Sequence, residues 1–352
     1  MTRPLISGLL PVLISTLVSF PRVCAQEQGQ PSQQTGDQDV IRVNTTLLTL
    51  PVRVIDRHGK LVPDLKQEQF HVYEDGVEQD IAYFEPPWLA GNATTGTNTK
   101  PFTLALLLDI SDSTESKLEQ IKQAALSFLD LLSPADQVMV VVFDSRVQFL
   151  TQATTDRDVL RAAINRSRTG GGTSLYGALD AVVRDRFRRI AGRKAIVLLT
   201  DGVDTSSKGP TAESSLRAVQ ESDAAVYPVQ YFTYGDFAGN SSRETYGAGE
   251  FGAVAHKTRN GESASEAYKR ATLYLRLLAD KTGGHFQYAD STRNLARSFE
   301  LIAAELRQQY TIGYYPKNKT DVGGQRIIKV EVAAPQVTVH TRKNYVYQPT
   351  KN

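Results

Sequence analysis

A doubly wound α/β domain with a mostly parallel sheet is expected between two β-rich flanks of this chain. Three observations predict it. From residue 101 onward, short continuous apolar runs alternate with helical apolar stripes, as expected of parallel strands buried on both faces and covered by helices. In residues 40–88 and 309–348 the apolar residues instead recur with period two, as in half-buried antiparallel strands. Neither flank is large enough for a comfortable core of its own. The two are therefore expected to pair into one small all-β sandwich, with the α/β domain inserted between them.

The chain opens on an export signal, residues 1–25. Arg3 supplies the positive n-region, 5–20 is an apolar h-region broken by Pro11, and Val23-Cys24-Ala25 fits a cleavage site before Gln26. The apolar run falls short of the ~20 residues of a spanning helix, so no stable membrane insertion is expected after cleavage. Cys24 is the only cysteine and leaves with the signal, which excludes disulfides and thiolate-held zinc from the mature chain. A Sec-exported protein, periplasmic or secreted, is the expectation, held together by burial alone. Residues 26–39, rich in Gln, Gly, Ser and Pro, read as a disordered tether.

In the first flank, 40–88, Leu50, Val52 and Val54 alternate, and Phe70-His71-Val72-Tyr73 is a strand. Asp56-Arg57-His58-Gly59 and Glu74-Asp75-Gly76 are turns. Residues 89–100 are a linker. In the α/β domain, 101–308, strands are expected over 102–108, 138–143, 195–199, 225–230 and 285–288. Residues 147–150 return antiparallel at an edge after the Asp144-Ser145 turn. One helical face carries Leu118, Ile121, Ala125, Phe128, Leu129 and Leu132. A second carries Leu175, Ala178, Leu179, Val182 and Val183, and the last Leu295, Phe299, Ile302, Ala303 and Leu306. Residues 232–265 interrupt the alternation. A loop of that length after the carboxyl end of a strand is expected to shape the binding face. The second flank, 309–348, opens with Tyr310-Thr311-Ile312-Gly313-Tyr314-Tyr315-Pro316, whose tyrosines are expected to pack the sandwich.

The net charge of +2 predicts no nucleic-acid partner. Arg184, Arg186, Arg188, Arg189, Arg193 and Lys194 cluster, but a solvated helix end favoured by the helix dipole accounts for them.

Chemistry concentrates at three strand ends. Asp109-Ile110-Ser111-Asp112-Ser113 follows the first apolar strand. Gly170-Gly171-Gly172-Thr173-Ser174 precedes a helical pattern. Thr200-Asp201-Gly202 closes the 195–199 strand. Ligands in doubly wound sheets bind beyond the carboxyl ends of the strands, so these segments should converge. Asp109, Ser111, Ser113, Thr173 and Asp201 then offer oxygen donors to a hard divalent cation, Mg²⁺ first, with Mn²⁺ or Ca²⁺ as alternatives. Most of these donors are neutral, which keeps the cation electrophilic. Singly, each segment has a plainer account as a cap, a loop or a turn. Asp112 and Asp204 read as surface turn residues.

The order Asp-x-Ser-x-Ser, then Thr, then Asp resembles the metal-ion-dependent adhesion site of von Willebrand factor type A domains, and the resemblance covers about 101–307. The wider layout is similar to exported bacterial proteins of this kind common in Acidobacteria. It matches them at Val52-x-Val54-x-Asp56-x-x-Gly59, Phe70-x-Val72-x-Glu74-Asp75-Gly76 and Gly313-Tyr314-Tyr315-Pro316. The resemblance implies protein binding through the metal, with an Asp or Glu carboxylate of the partner completing its shell.

A non-enzymatic exported binding module is thus the leading expectation. A structural or assembly role, with the metal only locking the fold, is the alternative. A metal-dependent hydrolase is disfavoured. No His or Glu accompanies the motifs as a general base, and the glycine run lacks the lysine of a phosphate loop. His256 and His285 are the remaining candidates. The last helix runs directly into 310–316, so a ligand pulling on the metal is expected to reorient the sandwich.

Overall fold

The apolar run at 102–108 becomes strand β5 of a computed structural model that describes residues 47–87, 101–190, 192–231, 263–318 and 324–347. The expected export signal, the tether, the 89–100 linker, His256 and most of the 232–265 segment lie outside the described residues.

The first flank forms β1 (Leu48–Asp56), β2 (Phe70–Glu74), β3 (Val77–Gln79) and β4 (Ile81–Glu85). The inserted part follows as β5 (Thr103–Asp109), α1 (Leu118–Leu131), β6 (Gln137–Phe143), β7 (Val147–Phe149), α2 (Arg157–Arg166), α3 (Leu175–Ala181), β8 (Lys194–Thr200), α4 (Ala212–Glu221), β9 (Ala225–Tyr231), α5 (Ala264–Thr282), β10 (Gln287–Ala289) and α6 (Thr292–Arg307). The second flank is β11 (Tyr310–Tyr314), β12 (Gly324–Val332), β13 (Val337–His340) and β14 (Asn344–Tyr347).

Among the described residues, six strands form the central sheet in the order β10-β9-β8-β5-β6-β7. All its pairings are parallel except β6 with β7, the expected edge return. All seven residues of β5 are buried, since helices cover both faces. Leu104, Leu106 and Leu108 pack with α1 and α6 on one face, and Ala105 and Leu107 with α3 and α5 on the other. Each fully buried leucine contributes about 1.5–3 kcal/mol, which fixes the strand's place at the centre.

The flanks interleave. One antiparallel sheet has the order β13-β1-β11-β4 and the other β14-β12-β2-β3, so each draws strands from both ends of the chain. Their shared core joins Leu50, Val52 and Val72 to Tyr310, Ile312, Tyr314 and Val330. Tyr310 and Tyr314 are buried as expected, whereas Tyr315 is exposed.

Four expectations need correction. The 285–288 strand begins two residues late, because His285 turns its ring to Arg53 of β1 at 3.1 Å. The helix carrying Val182 and Val183 ends as an α-helix at Ala181 and widens into a π turn over Val182–Arg186. Helix α5 starts inside the expected 232–265 loop, where Ser263 and Glu266 form a reciprocal cap. The basic cluster is not one solvated face. Arg184 pairs with Asp180, Arg186 lies over the Phe149 ring, Arg193 donates to the Leu306 carbonyl, and Lys194 to that of Ile190. No helix among the described residues is long and apolar enough to cross a membrane.

Candidate metal-binding site

Strand pairing brings the carboxyl ends of β5 and β8 side by side, with Leu108 opposite Leu199, so the next residues meet at one edge. Asp109 ends β5 and is fully buried. One carboxylate oxygen accepts from the Ser111 amide at 3.0 Å. The other accepts from the Thr200 hydroxyl at 2.6 Å. Both donors are neutral.

Beyond Asp109 the chain does not enter α1 directly. It makes a 3-10 stretch over Asp112–Lys117, in which the Thr114 amide and hydroxyl both donate to the Ser111 carbonyl. This turn swings Ser113 round. The Ser111 and Ser113 hydroxyl oxygens lie 3.1 Å apart, and Ser113 donates to Asp201 Oδ2 at 3.1 Å. The Val203 amide holds Asp201 Oδ1 at 3.0 Å, and Tyr268 of α5 donates to Oδ2 at 3.4 Å. Gly202 sits at φ +88°, where a side chain would be strained and would meet Leu275 at 2.8 Å, so α5 packs directly on the Asp201 turn.

The glycine run reaches the same edge. Gly170 pairs with Ser111 as a bridge, its amide donating to the Ile110 carbonyl. A Cβ at Gly170 would collide with the Asp144 carboxylate, so only glycine permits this approach. Thr173 is buried, and the loop after Asp201 grips its backbone. The Thr173 amide donates to the Thr205 hydroxyl at 2.9 Å, and its carbonyl accepts from the amides of Thr205 and Ser206.

The five expected residues therefore lie on adjoining segments. Asp109, Ser111, Ser113 and Asp201 form one hydrogen-bonded series, and Thr173 is tied in through its backbone. Asp112 is exposed, as expected. Asp204 is not a free turn residue: its carboxylate accepts from the Tyr176 amide at 3.0 Å and from Ser207, fixing the start of α3. Several partners were missed. Asp144 had a usable signal, the carboxyl end of the strand beside β5. Thr200, Thr205, Tyr231 and Tyr268 had none, since hydroxyls in strands, turns and helices are ordinary.

Electrostatics sets this edge apart. Burial first, and then the charge of Asp201, push the Asp109 carboxyl up from its usual range, against the hydrogen bonds from Ser111 and Thr200. Two buried carboxylates whose charges act on each other make an arrangement that a cation would relieve. Among the described residues, no three His, Cys, Asp or Glu side chains are grouped to hold a metal ion. A cation here would rest on two carboxylates and the hydroxyls, a donor set that fits a hard divalent ion.

Residues 104–203 match the family model of the von Willebrand factor type A domain. A UPF0353 protein of Nocardia farcinica is 24% identical over 232 residues, covering 60% of this chain and 65% of that protein. An uncharacterized protein of Synechocystis is 33% identical over 106 residues, covering 29% of this chain and 25% of that protein. The chain thus spans less than two thirds of either relative's length. A solved von Willebrand factor type A structure from Catenulispora acidiphila is 13% identical with a TM-score of 0.44, covering 88% of this chain and 76% of that one. The family match begins within β5 and ends at Val203, so it takes in the Asp109–Ser113 segment, the glycine run and the Asp201 turn. Residues 104–203, within the inserted part of this chain, are thus recognised as a von Willebrand factor type A domain.

Proposed function

We propose that this chain is an exported, non-enzymatic binding module that engages a protein partner through a divalent cation. Von Willebrand factor type A domains commonly serve in adhesion and protein–protein interaction, and that general role underlies the proposal. Asp109, Ser111, Ser113, Thr173 and Asp201 would hold Mg²⁺, or Mn²⁺ in its place. Bound there, the cation supplies an electrophilic position for an Asp or Glu carboxylate of the partner. The chain's own residues do the rest. The two carboxylates anchor the ion, the hydroxyls add no charge, and the 3-10 turn after Asp109 holds both serines on one side. Export through residues 1–25 is part of the same proposal, as are the limits 101–308 for the metal-binding domain and 40–88 with 309–348 for the sandwich.

The observation that carries it is the hydroxyl bridge from Ser111 through Ser113 to Asp201, beside a buried Asp109 held by the Ser111 amide and the Thr200 hydroxyl. Calorimetric titration of the mature chain with Mg²⁺ and Mn²⁺ tests it, beside Asp109→Ala and Thr173→Ala. Wild type is expected to bind and both variants to lose binding. Wild type loaded with Mn²⁺ should then capture an immobilised peptide bearing one Asp, and not its Asn counterpart. A folded wild type that takes up neither cation overturns the metal assignment. Metal uptake that raises thermal stability with no carboxylate capture favours the structural alternative.

A further inference from the structure

Tyr231 ends β9, one residue beyond the Thr200–Gln230 pairing, so it stands beside Asp201 across the two strands. Its ring is 4% exposed and packs with Leu108, Leu199, Leu295 and Phe299. Yet its hydroxyl is buried without a hydrogen-bond partner among the described residues. A buried, unsatisfied hydroxyl is costly to keep, so such a group calls for a functional account. The surroundings give one. Burial first, then the charges of Asp109 and Asp201, then Tyr268, hold this hydroxyl well above the usual phenol range, so all three groups lie within electrostatic reach of it. Tyr268 reaches Asp201 Oδ2 from α5. Two carboxylates and two phenols thus converge behind the candidate metal site. A buried water needs two to four polar partners, and the Tyr231 hydroxyl with the two carboxylates would supply them.

We infer that Tyr231 and Tyr268 are positioning residues of the metal site, which with Asp109 and Asp201 hold an ordered water that orients both carboxylates from the core side. The inference rests on the proposed metal site and adds its supporting layer. Groups that orient a metal's ligands typically change affinity by about 10–100-fold when removed. Tyr231 donates to the water and Tyr268 to Asp201, so neither carboxylate must turn toward the apolar core.

The test reads two quantities that a structural role would move differently. Mn²⁺ affinity is measured by the loss of the free-ion paramagnetic resonance signal, and metal-free stability by urea unfolding, for wild type, Tyr231→Phe and Tyr268→Phe. Tyr231→Phe is expected to bind Mn²⁺ about 10–100-fold more weakly, while its metal-free stability is unchanged or higher. Tyr268→Phe, which loses the hydroxyl that donates to Asp201, is expected to weaken binding as well, at the lower end of that range. Wild-type affinity in both variants overturns the inference and leaves the metal site standing. A loss of metal-free stability with unchanged affinity assigns the tyrosines to packing and also overturns it. No Mn²⁺ uptake by wild type removes the metal site, and the tyrosine assignment with it.

Discussion

The two edges of the central sheet treat charge in opposite ways. At the amino-terminal edge, where the sandwich docks, opposite charges meet. Arg53 pairs with Glu305 at 2.8 Å, Arg193 with Glu85 at 3.7 Å, Arg342 with Asp223 at 2.7 Å and Lys343 with Asp280 at 3.2 Å. Spare donors remain, the Nε atoms of Arg53 and Arg342, but the charges are matched. At the carboxyl-terminal edge, Asp109 and Asp201 are both buried and repel each other, and each accepts from a different hydroxyl, Thr200 for Asp109 and Ser113 for Asp201. The first arrangement is complete as it stands and serves as a lock. The second sets two buried carboxylates close enough for the charge of one to raise the other, which is where an added cation would be favoured.

The largest expected effect breaks the lock. Glu305→Ala leaves the half-buried Arg53 facing only His285, and should cost about 3–5 kcal/mol in urea unfolding. Cation affinity should stay at the wild-type value, because the lesion is at the far edge. A loss below about 1 kcal/mol would mean that the docking does not depend on this pair.

Asp109→Asn acts at the other edge with the opposite sign. Removing one of two repelling buried charges should raise metal-free stability by on the order of 1–2 kcal/mol at pH 8, while abolishing Mg²⁺ binding. Thr200 can accept as well as donate, so the amide is accommodated. Destabilisation of the metal-free protein would show that the pair is not strained.

The same pair sets a pH dependence. The Asp109 carboxyl is raised from 3.8 to about 7 in the folded chain, so the fold holds its proton more tightly than the unfolded chain does. That contribution is fully present below pH 3.8 and is lost as pH rises through about 7. Metal-free wild type should therefore melt at a lower temperature at pH 8 than at pH 6, by a margin that Asp109→Asn removes. Calorimetric scans at the two values decide it.

The smallest expected effect sharpens the site. Thr205→Val removes the acceptor for the Thr173 amide and should cost roughly 1 kcal/mol, while weakening Mg²⁺ binding. Unchanged affinity would mean that the two backbone bonds to the Thr173 carbonyl hold that segment without help.

Much of this chain was written in local pattern. Apolar runs such as 102–108 and 195–199 specify buried parallel strands, because only strands covered on both faces tolerate unbroken apolar sequence. Each of the three polar segments sits where such a strand or a helix cap must end, so their meeting at one edge follows from the topology. The split sandwich was legible as well, since two small β-rich flanks must share a core. Tertiary structure alone decided the rest. That Thr200 holds Asp109 depends on β8 lying beside β5, a pairing of residues 91 apart in sequence. That Tyr231 stands beside Asp201 depends on β9 ending next to β8, and that Tyr268 reaches Asp201 depends on α5 packing against Gly202. A tyrosine among apolar neighbours has the same local signature in a plain core and behind a metal site. The difference lies in which distant groups share its burial.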